Sequence, residues 1–134
     1  MPNRVQWNPR YDVGNETLDN QHRNILAHCN ALADYVVATD PESDLKFHEI
    51  FNELMARARE HFSSEEDLLA RCAHPVLEEH NNEREEFEYL AADIITTENF
   101  DKLELQRFLA LWWVGHIVGS GQRYRACNAG LPVG

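Results

Sequence analysis

The chain has no run approaching the roughly 20 consecutive apolar residues of a membrane span. Its start, MPNRVQWNPRYDVG, has no apolar stretch of the kind that makes a secretory signal. Both absences predict a soluble cytoplasmic protein. Basic residues are scarce: 12 Lys and Arg stand against 23 Asp and Glu, a formal net charge of −11. Nucleic acids and anionic membranes both need a basic surface, so neither is an expected partner. The three cysteines, Cys29, Cys72 and Cys127, form no CxxC pair and are odd in number, which suits reduced thiols better than a disulfide framework. Cys29 and Cys72 fall on apolar stripes and read as small core residues. No GxSxG, P-loop or GxGxxG occurs, and no cysteine has an evident activating histidine, so nothing in the chain argues for an enzyme.

What the chain does have is helical periodicity over most of its length. At 134 residues it fits one hydrophobic core, and no repeat, low-complexity tract or linker divides it, so residues 1–134 are expected to form one domain. Glycine and proline gather at the two ends and at Asp40-Pro41 and His74-Pro75. Four helices are predicted, at about 19–38, 44–72, 75–96 and 101–124. The first carries the apolar line Leu18, His22, Ile25/Leu26, Cys29, Leu32/Ala33 and Val36. It should end at Thr39-Asp40-Pro41, because the residue before proline avoids helix. The second, capped by Ser43 or Asp44, reads Phe47, Ile50/Phe51, Leu54, Ala58, His61/Phe62, Glu65, Leu68/Leu69 and Cys72. Pro75 is placed to open the third, which reads Leu77, His80, Arg84, Phe87, Leu90/Ala91 and Ile94. The fourth reads Leu105, Phe108/Leu109, Trp112 and His116, with Tyr124 beyond. Four amphipathic helices with short connections favour an all-α, antiparallel up-down-up-down bundle. The stretch before Asp19, containing Trp7 and Tyr11, is expected to pack across the helices as an irregular arm.

Polar residues sit on these apolar lines where Leu or Phe would be routine: His22, His61, Glu65, His80, Arg84 and His116. One histidine on such a face is usually a hydrogen-bonded core residue. Four, one per helix and all facing one axis, require a shared explanation, because buried polar groups need partners. Imidazole and carboxylate are ligands for iron, zinc or copper, and bundle cores are where helices present them. His61 and Glu65 are four apart, so they stand one turn apart on one face. His28, His48 and His74 lie off the convergent set. The Glu-rich segment from Glu78 to Glu88 reads as a solvated face.

The set Trp7, Tyr11, Val13-Gly14, Asp19, Gln21-His22, His61-Phe62, Glu65-Glu66, His80, Trp112, His116-Ile117 and Tyr124 closely resembles the hemerythrins, especially the bacterial ones. The resemblance runs from Trp7 to about Tyr124. It implies a four-helix bundle holding two non-heme irons, with O2 bound reversibly at one of them. Carried over residue by residue, it makes His22 and His61 terminal ligands of one iron, Glu65 a bridge, and His80 and His116 ligands of the other.

Two positions depart from the family pattern. Arg84 stands where a further histidine ligand is usual, and Gly121 where a bridging aspartate is usual. A guanidinium has only donors and cannot ligate a cation. Turned inward, Arg84 is expected to pair with Glu65. The glycines of Gly119-Ser120-Gly121, costing about 1 kcal/mol each against alanine, suggest a fourth helix that frays or kinks just after His116. The resulting expectation is a non-heme iron protein with an incomplete site. It would hold one ion through His22, His61 and Glu65, leaving positions open for O2 or NO. Two alternatives stand beside it: two ions per chain with water filling the missing positions, or a metal-free bundle that meets a partner protein.

Overall fold

A computed structural model of the chain describes residues 1–71, 76–97 and 99–130, with residues 76 and 120–130 as backbone only. A short 3-10 turn at Pro9–Tyr11 precedes helices α1 (Glu16–Ala33), α2 (Pro41–Leu69), α3 (Val76–Thr96) and α4 (Lys102–Gly130). The described residues contain no strand. Each helix packs on its neighbours in sequence and α1 closes the ring on α4, so the expected bundle is what forms. Among the described residues no helix is long and apolar enough to cross a membrane.

The helix faces follow the periodicity. Ile25, Leu26, Cys29 and Leu32 of α1 meet Phe47, Phe51, Leu54, Ala58 and Phe62 of α2, Leu18 packs in a smaller cluster with Val13 and Leu69, and all are buried. Phe87 and Ala91 of α3 and Leu105, Leu109, Trp113 and Ile117 of α4 complete the interior. Cys29 is the core residue its stripe suggested; Cys72 lies outside the described residues, as do His74 and Pro75. Trp113, rather than Trp112, is the fully buried indole, while Trp112 is half-buried.

The helix ends differ from the periodicity in ways their caps explain. Helix α1 begins at Glu16 because Asn15 accepts the amide of Leu18 and fills the N-cap. It stops at Ala33, five residues early, yet Tyr35 and Val36 still pack against the core from the turn. Apolar periodicity thus outlasts the helix. Helix α2 is capped by Asp40, not Ser43 or Asp44: the Asp40 carboxylate accepts the amide of Ser43, and Pro41 takes the first helical position. Proline pre-sets the helical φ there and holds the residue before it extended, as Asp40 is at ψ 154°. Asn99 turns the α3–α4 connection at φ +57°, a conformation asparagine tolerates. Asp101 then accepts the amides of Leu103 and Glu104 to start α4. That helix does not stop after His116; it continues through Gly119 and Gly121 to Gly130. Glycine's cost is modest, and helix propensity yields to context.

The segment before α1 is an arm, and it is tied down. The buried Asp19 carboxylate accepts the amide of Val13 at 2.8 Å. Asn30 exchanges two hydrogen bonds with the backbone of Val5. Gln106, fully buried on α4, accepts from the Asn3 amide and donates to the carbonyls of Asn3 and Cys29. Replacing Gln106 by Leu strands these backbone groups, so stability should fall by about 1–3 kcal/mol. Hydrogen exchange should quicken at the Asn3 amide and stay slow at Leu109; an unchanged Asn3 rate would contradict this anchoring.

Candidate metal centre

Four of the polar residues on the apolar stripes are brought together at one end of the bundle. His22, His61, Glu65 and His116 are buried, and each offers one ligand atom within 4.8 Å of the others'. The antiparallel order makes this possible: His22 lies early in α1, His61 and Glu65 late in α2, and His80 early in α3, so all fall in one layer. Glu65 is the hub. Its Oε1 lies 2.8 Å from Nε2 of both His61 and His116 and 3.3 Å from Nε2 of His80. His116, which the resemblance pairs with His80, therefore stands in the same group as His22 and His61, with His80 at its margin.

Around the cluster is an aromatic wall. Trp112 stacks on His116 with rings 5.1 Å apart and 11° from parallel, and Trp113 meets both His61 and His116 edge-on. Phe62 packs on the edges of His80 and His116. The wall excludes water, which raises the cost of any unpaired charge inside. Sequence periodicity selected Trp112 for this face because residues 108, 112 and 116 share a stripe. The neighbouring stripe of 105, 109, 113 and 116 is equally periodic, and it is the buried one.

Arg84 does not reach Glu65. Its Nη1 donates to Glu66 at 2.7 Å and its Nε to Glu88 at 3.1 Å, while its carbon lies 5.6 Å from the centre of the Phe62 ring. A long side chain leaves an apolar stripe easily, and two carboxylates outside the wall satisfy the guanidinium better than one buried hub already crowded by imidazoles. The ion pair that a metal-free bundle would have used is not formed. The Glu-rich face is less uniformly solvated than its composition suggests: Glu83 Oε1 lies 3.6 Å from His116 Nδ1, and Glu66 Oε1 3.9 Å from His80 Nδ1. His28 and His48 lie apart, each with Nδ1 on the carbonyl four residues back.

The sequence profile of the Hemerythrin HHE cation binding domain matches residues 13–120. The chain belongs to the hemerythrin family. Hemerythrin-like proteins of Naegleria gruberi and Naegleria fowleri are each 27% identical to it over 125 residues, 93% of this chain and 94% of the relative. A bacteriohemerythrin of Stenotrophomonas maltophilia is 27% identical over 122 residues, 88% of this chain and 77% of that protein. No solved structure matches. Membership implies a bound metal cation, typically iron.

The residues present fit such a cation. Among the described residues, neither ring nitrogen of His22 has a hydrogen-bond partner, although both are buried. His61 Nε2 is likewise without one, although Glu65 Oε1 stands only 2.8 Å away. Imidazole lone pairs facing a carboxylate are mutually repulsive unless a positive charge sits between them. Burial pushes the His22 imidazolium down to a pKa of about 2, with the neighbouring His61 adding to the effect. Burial lowers His61 too. Burial alone would raise Glu65, but His116 and His61 outweigh it and hold the carboxyl well below its usual range. His22 and His61 are thus neutral imidazole donors beside one anion.

These shifts set the acid stability of the metal-free protein. A histidine whose folded pKa is depressed stabilises the fold above its unfolded pKa of about 6.5 and withdraws that support as pH falls below it. His22 alone should cost on the order of 2 kcal/mol between pH 7 and pH 5, and His61 adds in the same direction. Urea denaturation of chelator-treated protein at the two pH values reads this directly. His22→Leu should flatten the slope; a wild-type stability that is level across the interval would refute the assignment.

Proposed function

We propose that this protein binds a single non-heme iron ion through His22, His61, Glu65 and His116, with His80 beside it, and uses it to take up a small diatomic ligand such as O2 or NO. The observation that carries the reading is the buried group of four converging donor atoms, two of whose histidines have ring nitrogens with no hydrogen bond among the described residues. Three imidazoles and one carboxylate suit Fe(II), and a protein set of four leaves coordination positions for an exogenous ligand.

A single ion, rather than the pair usual in the family, is supported by what stands at the two divergent positions. Arg84 is a permanent cation fixed by Glu66 and Glu88 next to Phe62, and it cannot serve as a ligand. Gly121 brings no carboxylate. The ion bound at the four-atom group would supply Lewis-acid and one-electron chemistry. The chain's part is to hold the imidazoles in place, keep water out with Trp112, Trp113 and Phe62, and balance charge with Glu65.

Metal analysis after anaerobic loading with Fe(II) should give close to one iron per chain, and Glu65→Gln should remove it. Two irons per chain in the wild type would overturn the single-ion reading. In the double variant Arg84→His with Gly121→Asp, the count should rise toward two, because a neutral donor and a carboxylate replace a cation and a glycine. Mass spectrometry under native conditions reads both numbers on the same samples.

A further inference from the structure

Gln21 lies on α1 next to His22 and reaches across to α2. Its Oε1 is 2.7 Å from Nδ1 of His61, and its Nε2 donates to Ser64 Oγ at 3.0 Å. Ser64 in turn donates its hydroxyl proton to the carbonyl of Glu60, one turn back on the same helix, at 3.1 Å. Each link constrains the next. With its proton committed to Glu60, the Ser64 oxygen can only accept from Gln21, so the NH2 of the amide must face Ser64. The amide oxygen then faces His61. An oxygen only accepts, so Nδ1 of His61 must carry the proton. In a neutral imidazole that leaves Nε2 as a bare lone pair, and Nε2 is the nitrogen turned toward Glu65 and the cluster.

We infer that Gln21 is a positioning residue: through Ser64 and the Glu60 carbonyl it fixes His61 as the Nδ1–H tautomer and so presents Nε2, unprotonated, to a metal ion. Without this relay, the stable arrangement of His61 would be the other one. Glu65 Oε1, 2.8 Å from Nε2, would draw the proton there and form an ordinary buried hydrogen bond, closing the donor to metal. Gln21 keeps that bond from forming. Its side chain also lines a surface groove of about 170 Å³ with Asn20, Asn24, Arg57 and Glu60, so the relay spans from the protein's exterior to the buried ring. Outer partners of metal-bound histidines typically change metal affinity 10–100-fold when removed.

The inference rests on the function proposed above, and two measurements keep their failures apart. The first needs no metal: long-range proton–nitrogen NMR spectra of metal-free, 15N-histidine-labelled protein at pH 7.5 (roughly one unit above the unperturbed imidazole pKa). Wild-type His61 should show the Nδ1–H tautomer; in Gln21→Leu it should move to Nε2–H. The second is titration with Co(II) alone, followed by its visible bands with a competing chelator. Affinity should fall about 10–100-fold in Gln21→Leu, and Gln21→Glu, which restores an acceptor, should recover it. Ser64→Ala removes only the orienting hydroxyl and should shift both readouts the same way by less, which preserves the test if Gln21→Leu does not fold. An Nε2–H tautomer in the wild type, or a Gln21→Leu protein with wild-type tautomer and Co(II) affinity, overturns the inference. Absence of Co(II) binding in the wild type overturns the proposed function, while the tautomer spectra still decide the role of Gln21.

Discussion

The placement of one buried carboxylate organises this bundle. Glu65 sits at the centre of four imidazoles and an aromatic wall, with its Oε1 within 3.3 Å of three ring nitrogens. An isolated carboxylate in such surroundings would cost several kcal/mol even after relaxation. Each helix supplies part of the compensation, so none can shift register without stripping the anion of a neighbour. The N-terminal arm belongs to the same constraint. Asp19 ties Val13 to α1, and Gln106 ties Asn3 and Cys29 to α4, fixing the two helices that carry His22 and His116.

The dry end of the bundle and the polar end do different work. Phe47, Leu54, Phe87, Leu105 and Leu109 fill the interior with apolar volume, and burial of such side chains supplies roughly 1.5–3 kcal/mol each. The polar layer uses part of that surplus. Burial holds the imidazoles of His22 and His61 neutral, and His22 has no hydrogen bond among the described residues to offset its desolvation. Such a layer is tolerable next to a large apolar core and ruinous in a small one.

Much of this was legible from the residues, because helical periodicity and burial are tightly coupled. The stripes of α1 and α2 are the buried faces, and His22, His61, Glu65 and His116 meet where those stripes converge. What escaped has specific causes. Asp40 was passed over as a cap because Ser43 and Asp44 sit closer to the first buried residue, Phe47, yet Pro41 fixes the start. Trp112 and Trp113 are adjacent, and a 3.6-residue period cannot choose between them; both pack against Phe62 and Phe87, and Trp113 is the one fully buried. Arg84 lies on the expected face, but its long, flexible side chain lets its charge leave that face for Glu66 and Glu88. Glu83 and Glu66 read as solvated acids because nothing in a one-dimensional pattern shows which carboxylates a neighbouring helix will approach.

The Gln21 relay suggests how such a layer separates two competitors for the same lone pairs. Protons and metal ions both seek imidazole nitrogen and carboxylate oxygen, and a buried anion beside neutral histidines attracts either. Burial alone disfavours protonation of His22 and His61, but it leaves open where the single proton of each neutral ring resides. If that proton lay on Nε2 of His61, it would satisfy Glu65 and shut the site without any change in net charge. A hydrogen-bond acceptor on the far side of the ring prevents this at little cost, since Nδ1–H must be satisfied in any case. Control of tautomer, rather than of charge, is therefore the less expensive way to keep a buried donor set open, and it needs only an amide whose own orientation is fixed.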